Sequence, residues 1–419
     1  MRFASNTLAL LALNVFSQSL PVNAEDRLNV QSLKHPGAMH TKEDLDRVRQ
    51  RVQQGDQPWL KAFQHLEASS LAQTSHKPSP KEVVVRGQRE DMVQNYASLY
   101  RDTHAAYQLA LRYQVTQDTA YATAAVGILD AWTSTLKAID GTGDRFLAAG
   151  LYGYQFANAG ELLRNFSGWP KAKQTAFGVM LNDKFASLSH NFLLKHNDAA
   201  PDHYYANWYL CNIAGLMAIG TFNDNTTMFN YATNYLANGP PEGGAAGALP
   251  FFAIANFTEE GSGKTLMQSQ EMGRDQGHAL LCFALLAVIG QQGRSQNVDL
   301  FGLYGNEILN GAEYTAKFNT GHDVPFEPYR THEGWRTEVS EWERYNIRPG
   351  FEGIYSHYAE LKGLNASWSR TYRGTVNHNL AANIEGGGGD YGTSSGGYDS
   401  LGHGTLMFRL KPDSLGSRV

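Results

Sequence analysis

Glu271, Arg274 and His278 stand at i, i+3 and i+7 in the segment Gln270-Glu271-Met272-Gly273-Arg274-Asp275-Gln276-Gly277-His278, which runs straight into the apolar stretch Ala279–Gly290. If a helix begins near Glu271, this spacing sets a carboxylate, a guanidinium and an imidazole on one face beside a dry wall. Such a face binds an anion and moves a proton; the plainer alternative is a salt-bridged helix start. Gln276 adds an amide to the same segment. A second segment, Asp202-His203-Tyr204-Tyr205-Ala206-Asn207-Trp208, also opens an apolar helix, over Ile213–Thr221. Side-chain donors there add to the positive end of a helix, which suits a carboxylate ligand and nominates Asn207, with His203, Tyr204 and Trp208 around it. Its alternative is a helix cap with aromatic staples. In Val324-Pro325-Phe326-Glu327-Pro328-Tyr329-Arg330 the prolines stiffen an extended loop that would hold Tyr329 and Arg330 rigidly, with Arg336 close by in sequence. Arg344-Tyr345-Asn346-Ile347-Arg348-Pro349 is similarly cationic and aromatic, and Tyr345 and Arg348 are its candidates.

This inventory points to β-elimination on a uronate. The proton at C5 of a uronate is weakly acidic, so an enzyme must neutralise the adjacent carboxylate to let carbanion-like charge delocalise into it. Amides, a protonated acid or an arginine do that. A His or a tyrosinate takes the proton, and a Tyr protonates the departing O4. Other chemistries fit poorly. Gly261-Ser262-Gly263-Lys264-Thr265 matches only the tail of a phosphate-binding loop, and there is no Gly-x-Ser-x-Gly elbow. No His-Glu-x-x-His and no paired cysteine ligands occur, so neither a metal nor a cofactor is expected.

The elements that must position these groups read as helices. Thr41-Lys42-Glu43-Asp44 resembles a capping box opening a helix through Val52, and another helix starts at Trp59. Helical periodicity follows over Tyr96–Tyr113, Thr119–Leu136, Arg145–Phe166, Pro170–His190, Asn207–Thr221, Thr227–Ala237, Gln276–Gln291, Asn306–Phe318 and Gly350–Lys362. Small residues inside them (Ala105-Ala106, Ala148-Ala149) let helices approach closely. Connections are long and irregular over 239–264 and 319–348. Repeated helical hairpins suggest an all-α chain folded as an (α/α) toroid, whose loops converge on a central cleft. From about residue 385 the chain is too Gly-rich for helix; an ordered loop against the toroid mouth, leading into a strand at Thr405–Leu410, is expected.

Met1-Arg2, the apolar stretch Leu8–Val15 and Val22-Asn23-Ala24 read as a secretory signal over residues 1–24, followed by one toroid domain over 25–419. Sequons at Asn165, Asn225, Asn256 and Asn365 predict N-glycans on a secreted, extracellular and monomeric protein. A net charge of −5 argues against a nucleic-acid partner, and no apolar run is long enough for a membrane span. The 21 Tyr, 20 Phe and 7 Trp suit a sugar-binding cleft, although most such rings serve a core. Cys211 lies four residues after Asn207 and Cys282 four after His278, so a disulfide between them is an open alternative to two buried thiols.

The Glu271 to His278 segment resembles the motif of secreted alginate-lyase-like polysaccharide lyases. So do Asn207-Trp208, Asp323-Val324-Pro325-Phe326, Arg348-Pro349 with Ile354-Tyr355-Ser356-His357-Tyr358, and Gly387-Gly388-Gly389-Asp390-Tyr391-Gly392. The resemblance spans about His35 to Leu410. It implies an (α/α) toroid that cleaves an acidic polysaccharide by elimination, with His278 as base and Glu271 helping to neutralise the uronate. It implies a catalytic Tyr with an Arg from a later loop, placed at Tyr329 and Arg330, with Arg336, Tyr345 and Arg348 as alternates. Better-known members carry Asn-Asn-His-Ser-Tyr-Trp where this chain has Tyr204-Tyr205-Ala206-Asn207-Trp208, a departure that leaves Asn207 rather than His203 as the catalytic candidate. Mannuronan and glucuronan lead as substrates over guluronan and glycosaminoglycans. The competing readings are an inverting glycoside hydrolase, using Glu271 with Asp202 or Glu333, and a catalytically inactive carbohydrate-binding toroid.

Overall fold

The computed structural model describes residues 28–412, so the expected leader lies outside the described residues. In chain order the elements are α1 (Lys42–Gln53), α2 (Trp59–Ala68), β1 (Val83–Val85), α3 (Ala97–Thr116), α4 (Thr119–Thr135), β2 (Ala138–Asp140), α5 (Asp144–Leu163), α6 (Lys171–Met180) and α7 (Ser187–Lys195). Then come α8 (Ala206–Phe222), α9 (Thr226–Asn238), α10 (Leu249–Phe252), β3 (Ala253–Thr258), β4 (Thr265–Ser269), α11 (Gln276–Ser295) and α12 (Leu303–Asn319). The chain ends with β5 (Tyr329–Thr331), β6 (Gly334–Arg336), α13 (Phe351–Tyr355), α14 (Ser367–His378) and α15 (Gly404–Met407).

Helices α3, α5, α8, α11 and α13 touch in succession, and α15 and α1 close the circle back to α3. This is the expected toroid. Its inner helices are apolar on nearly every side: α5 is buried without a break from Phe146 to Leu163, and α8 from Tyr209 to Phe222. A helix buried all round belongs inside. Helices α4, α9 and α12 pack against α3, α8 and α11 and keep more polar faces. One hydrophobic cluster runs from Leu28 to Met407. Small residues set the spacing of the inner wall. A Cβ on Gly150 would meet the Cys211 backbone and Sγ at 2.7 Å, so α5 and α8 cross through that glycine.

The capping box forms as expected: Thr41 Oγ1 accepts from Asp44 N at 3.2 Å, and Asp44 Oδ2 accepts from Thr41 N at 3.3 Å. The helix expected over 170–190 widens into a π segment at Leu181–Ala186, and that over 350–362 does so at Ser356–Leu361. The first irregular stretch contains β3, which pairs antiparallel with β4 just beyond it, and the second contains the antiparallel hairpin β5–β6; β1 and β2 pair in parallel.

One open alternative is decided, one helix is new and one expectation is corrected. Cys211 and Cys282 are buried free thiols rather than a disulfide. Helix α14 has no expected counterpart, because its buried residues Ser369, Tyr372, Arg373 and Val376 include few apolar ones. The strand expected at Thr405–Leu410 is replaced at its start by the short helix α15: His403 enters the left-handed region, and Leu406 and Met407 bury in the core without a pairing strand.

The Gly-rich segment is ordered against the toroid. Gly387 pairs with Gly402, and a Cβ on Gly388 would meet His104 Nδ1 at 2.0 Å, a closeness only glycine allows. The Tyr398 ring stacks on Tyr100 at 4.5 Å, while its carbonyl accepts from His104 at 2.9 Å and from Gln155 at 2.8 Å. Deeper down, Glu352 is fully buried and paired with Arg409 at 2.6 Å and Arg373 at 3.1 Å. Its amide donates to the Glu385 carboxyl at 3.3 Å, which fastens the C-terminal segment to α13.

Candidate active site

Helix α11 begins at Gln276, not near Glu271, because Asp275 is extended and caps it, accepting from His278 N at 2.7 Å. Glu271 and Arg274 therefore belong to a turn between β4 and α11, and the helical face expected of them does not exist. The turn nevertheless brings the same groups together. Arg274 Nη1 lies 3.2 Å from Glu271 Oε2 and 3.4 Å from Asn207 Oδ1, while Asn207 N donates to Glu271 Oε1 at 3.3 Å. Asn207 comes from the first turn of α8, so the neighbouring wall helices meet here through their N-terminal ends. Glu271 is fully buried, and burial raises its carboxyl above the usual range against the pull of Arg274 and His278.

His278 is held by its own helix cap. Nδ1 donates to Asp275, with the two carboxylate oxygens 2.8 and 2.9 Å away. Burial works against charge on Asp275, but the hydrogen bonds from His278 and the nearby Arg274 outweigh it and keep the carboxyl below its ordinary value. With Nδ1 carrying the proton, Nε2 keeps its lone pair; it has no hydrogen-bond partner among the described residues, and the side chain is 38% exposed. An imidazole oriented through Nδ1 by a carboxylate is the arrangement of a general base.

Tyr329 does not face this group. It is buried, its hydroxyl accepts from Gly273 N at 3.1 Å and donates to Gln270 O, and burial pushes its phenol up. It braces the turn from beneath. The tyrosine that stands in the cluster is Tyr205, which the sequence reading left unassigned. The Arg274 guanidinium lies 4.2 Å from its ring centre, and its hydroxyl meets Arg336 and, at 2.8 Å, Glu333. Burial raises this phenol too, opposed by the bond from Arg336.

The remaining candidates scatter. Gln276 is fully buried, donating to Ser340 O at 2.9 Å and accepting from Asn319 at 2.9 Å, so it fixes the neighbouring loop rather than facing a ligand. Arg348 turns to Asp399 at 3.2 Å and anchors the Gly-rich segment. Arg330 and Tyr345 are exposed. His203 lies 4.3 Å from His332, ring centre to ring centre, on the exposed side. Tyr204 accepts from Asn197 at 2.8 Å and packs on Trp208 at 4.7 Å. Asp275 could have been found as an Asp ahead of an apolar helix, three residues from a His. Tyr205 carried no signal that separated it from Tyr204. Among the described residues no group of three or more His, Cys, Asp or Glu could hold a metal ion, and no helix is long and apolar enough to cross a membrane.

The sequence profile of the family described as alginate lyase matches residues 48–324. Among solved structures, alginate lyase A1-III complexed with a tetrasaccharide superposes with a TM-score of 0.58 at 14% identity, covering 92% of this chain and 98% of that one. Alginate lyase A1-III from Sphingomonas species A1 gives 0.56 at 15% identity, covering 88% and 95%. An alginate lyase from Bacteroides ovatus gives 0.59 at 12% identity, covering 90% and 100%. At these identities the structures establish the shared α/α toroid. No curated protein sequence matches the chain.

Proposed function

The chain belongs to the alginate lyase family and is a polysaccharide lyase, and from that premise we propose that it cleaves a mannuronan- or glucuronan-type polymer by β-elimination at the Asn207–Glu271–Arg274–His278 cluster. The observation that carries the reading is the Asp275–His278 pair, which leaves Nε2 without a partner among the described residues, beside the Arg274–Glu271 pair. In this scheme Arg274 and the Asn207 amide hold the uronate carboxylate, and buried Glu271 orients both from behind. His278 Nε2 takes the C5 proton. The electron pair moves into the C4–C5 bond by way of the stabilised carboxylate, and the C4–O4 bond breaks. Tyr205 gives its proton to O4, leaving a 4,5-unsaturated uronate and a new chain end.

In β-D-mannuronate and β-D-glucuronate H5 and O4 lie on one ring face, so neighbouring base and acid groups suffice; α-L-guluronate requires groups on opposite faces. Following the ultraviolet absorbance of the conjugated product on polymannuronate, polyguluronate, glucuronan and hyaluronan tests the reading. No rise on any of them sinks it. The hydrolase alternative fits less well: Glu333 is tied to the Tyr205 hydroxyl at 2.8 Å and to Arg336, which leaves it poorly placed to activate a water. We also propose secretion after removal of residues 1–24, a single catalytic unit over 25–419, and a monomer carrying N-glycans. The side chains of Asn165, Asn256 and Asn365 are exposed, whereas Asn225 is half-buried and caps α9.

A further inference from the structure

Of the tryptophans, Trp59, Trp132 and Trp169 are buried and Trp208 and Trp368 half-buried. Only Trp335 and Trp342, 66% and 72% exposed, stand in solvent, and both border the candidate active site. The Trp342 carbonyl accepts from Gln276 N at 2.9 Å, at the start of α11. The neighbour of Trp335, Arg336, packs so closely on the turn that a Cβ on Gly273 would lie 2.7 Å from its own.

The β5–β6 register explains the exposure. Tyr329 pairs with Arg336 on the face that clasps the turn, so Arg330 and Trp335, paired with each other, share the opposite face. Arg330 is exposed, and its guanidinium has no hydrogen bond or ion pair among the described residues. An uncommitted indole beside an uncommitted guanidinium matches a sugar acid: the ring stacks on the C–H face of a pyranose, and the guanidinium takes the carboxylate.

We propose that Trp335 and Arg330 form a second sugar-binding platform, outside the bond-breaking cluster, for a more distant uronate of the same polymer. This rests on the polyuronate reading above and adds where the chain is gripped beyond the cleaved linkage. The carboxylates Glu333 and Glu341 are paired with Arg336 and Arg344, while Glu338 and Glu343 have no cation within ion-pair distance among the described residues. The surface is therefore not strongly cationic, and stacking on Trp335 carries more of the binding than charge.

The test is electrophoresis of the full chain in native gels containing polymannuronate or glucuronan, alongside kinetics on polymer and on trisaccharide. Trp335→Ala is expected to lose most of the retardation and to raise KM on polymer about three- to tenfold with kcat retained. Trp335→Phe should recover part of the loss, and Arg330→Gln should weaken binding less than Trp335→Ala. Retardation equal to wild type in Trp335→Ala overturns the platform, as does the same rise in KM on trisaccharide as on polymer. Absence of retardation for the wild type in every polyuronate gel overturns it as well. So does light scattering that shows a wild-type dimer and a Trp335→Ala monomer, because the indole then meets a second copy of the chain. Retardation without any unsaturated product upholds the platform and removes the lyase reading instead.

Discussion

Asp275 has two tasks, since one carboxylate caps α11 and orients His278. Asp275→Asn keeps an N-cap acceptor but no longer fixes the imidazole tautomer. We expect kcat to fall by roughly 10²–10⁴ with KM little changed and the melting temperature close to wild type. Equal losses in kcat and in thermal stability would make Asp275 a cap alone. Tyr205 and Tyr329 separate in the same way. Tyr205→Phe should lower kcat by roughly 10²–10⁴, the range for loss of a general acid. Tyr329→Phe should mainly destabilise, by about 1 kcal/mol, since its hydroxyl bonds backbone. The reverse pattern would return the acid role to Tyr329. At this scale the sequence pointed to Glu271, Arg274, His278 and Asn207, which the fold brings near one another, because ionisable and amide groups collect ahead of apolar runs. It could not distinguish Tyr205 from Tyr204, because two residues in succession point different ways only once α8 has a defined start.

The toroid wall depends on how closely its helices pass. At Gly150 the contact is with the backbone of Cys211, which cannot swing aside. Gly150→Val should cost about 1–3 kcal/mol in chemical denaturation and displace α5 from α8. Since α8 carries Asn207, activity should fall further than the loss of folded protein explains. Helix positions were legible from apolar periodicity and frequent small residues, including Asn207–Thr221 against the observed Ala206–Phe222. The periodic run read over Gln276–Gln291 has the observed start of α11, whereas the alternative start near Glu271 fails because the Asp275 cap sets the boundary after Arg274. Helix α14 escaped because its buried side holds Ser369 and Arg373 along with Tyr372 and Val376.

The whole molecule is closed by its C-terminal segment, and that closure has a pH signature. Burial, with the Glu352 charge added, pushes the Glu385 carboxyl from an ordinary 4.5 up to about 8. The folded chain therefore keeps a proton that the unfolded chain releases, and stability falls as pH climbs from about 4.5 toward about 8. Glu385→Gln, neutral throughout, should flatten that part of the profile in thermal denaturation between pH 5 and 8. An unchanged slope would show that Glu385 is ionised in the fold. The order of the Gly-rich segment was foreseeable from its aromatic residues, but the buried Glu352–Arg409 pair behind it was not, because the two are brought together only by closure of the ring. The two thiols have a practical use that follows from their setting. Cys211 and Cys282 are the chain's only cysteines, both are buried, and burial drives both thiols upward, so neither offers an accessible thiolate under native conditions. The wild-type chain is thus a silent background for maleimide chemistry. A fluorophore attached through Tyr345→Cys, at a position 59% exposed in the wild type, would label that one position without any native cysteine having to be removed.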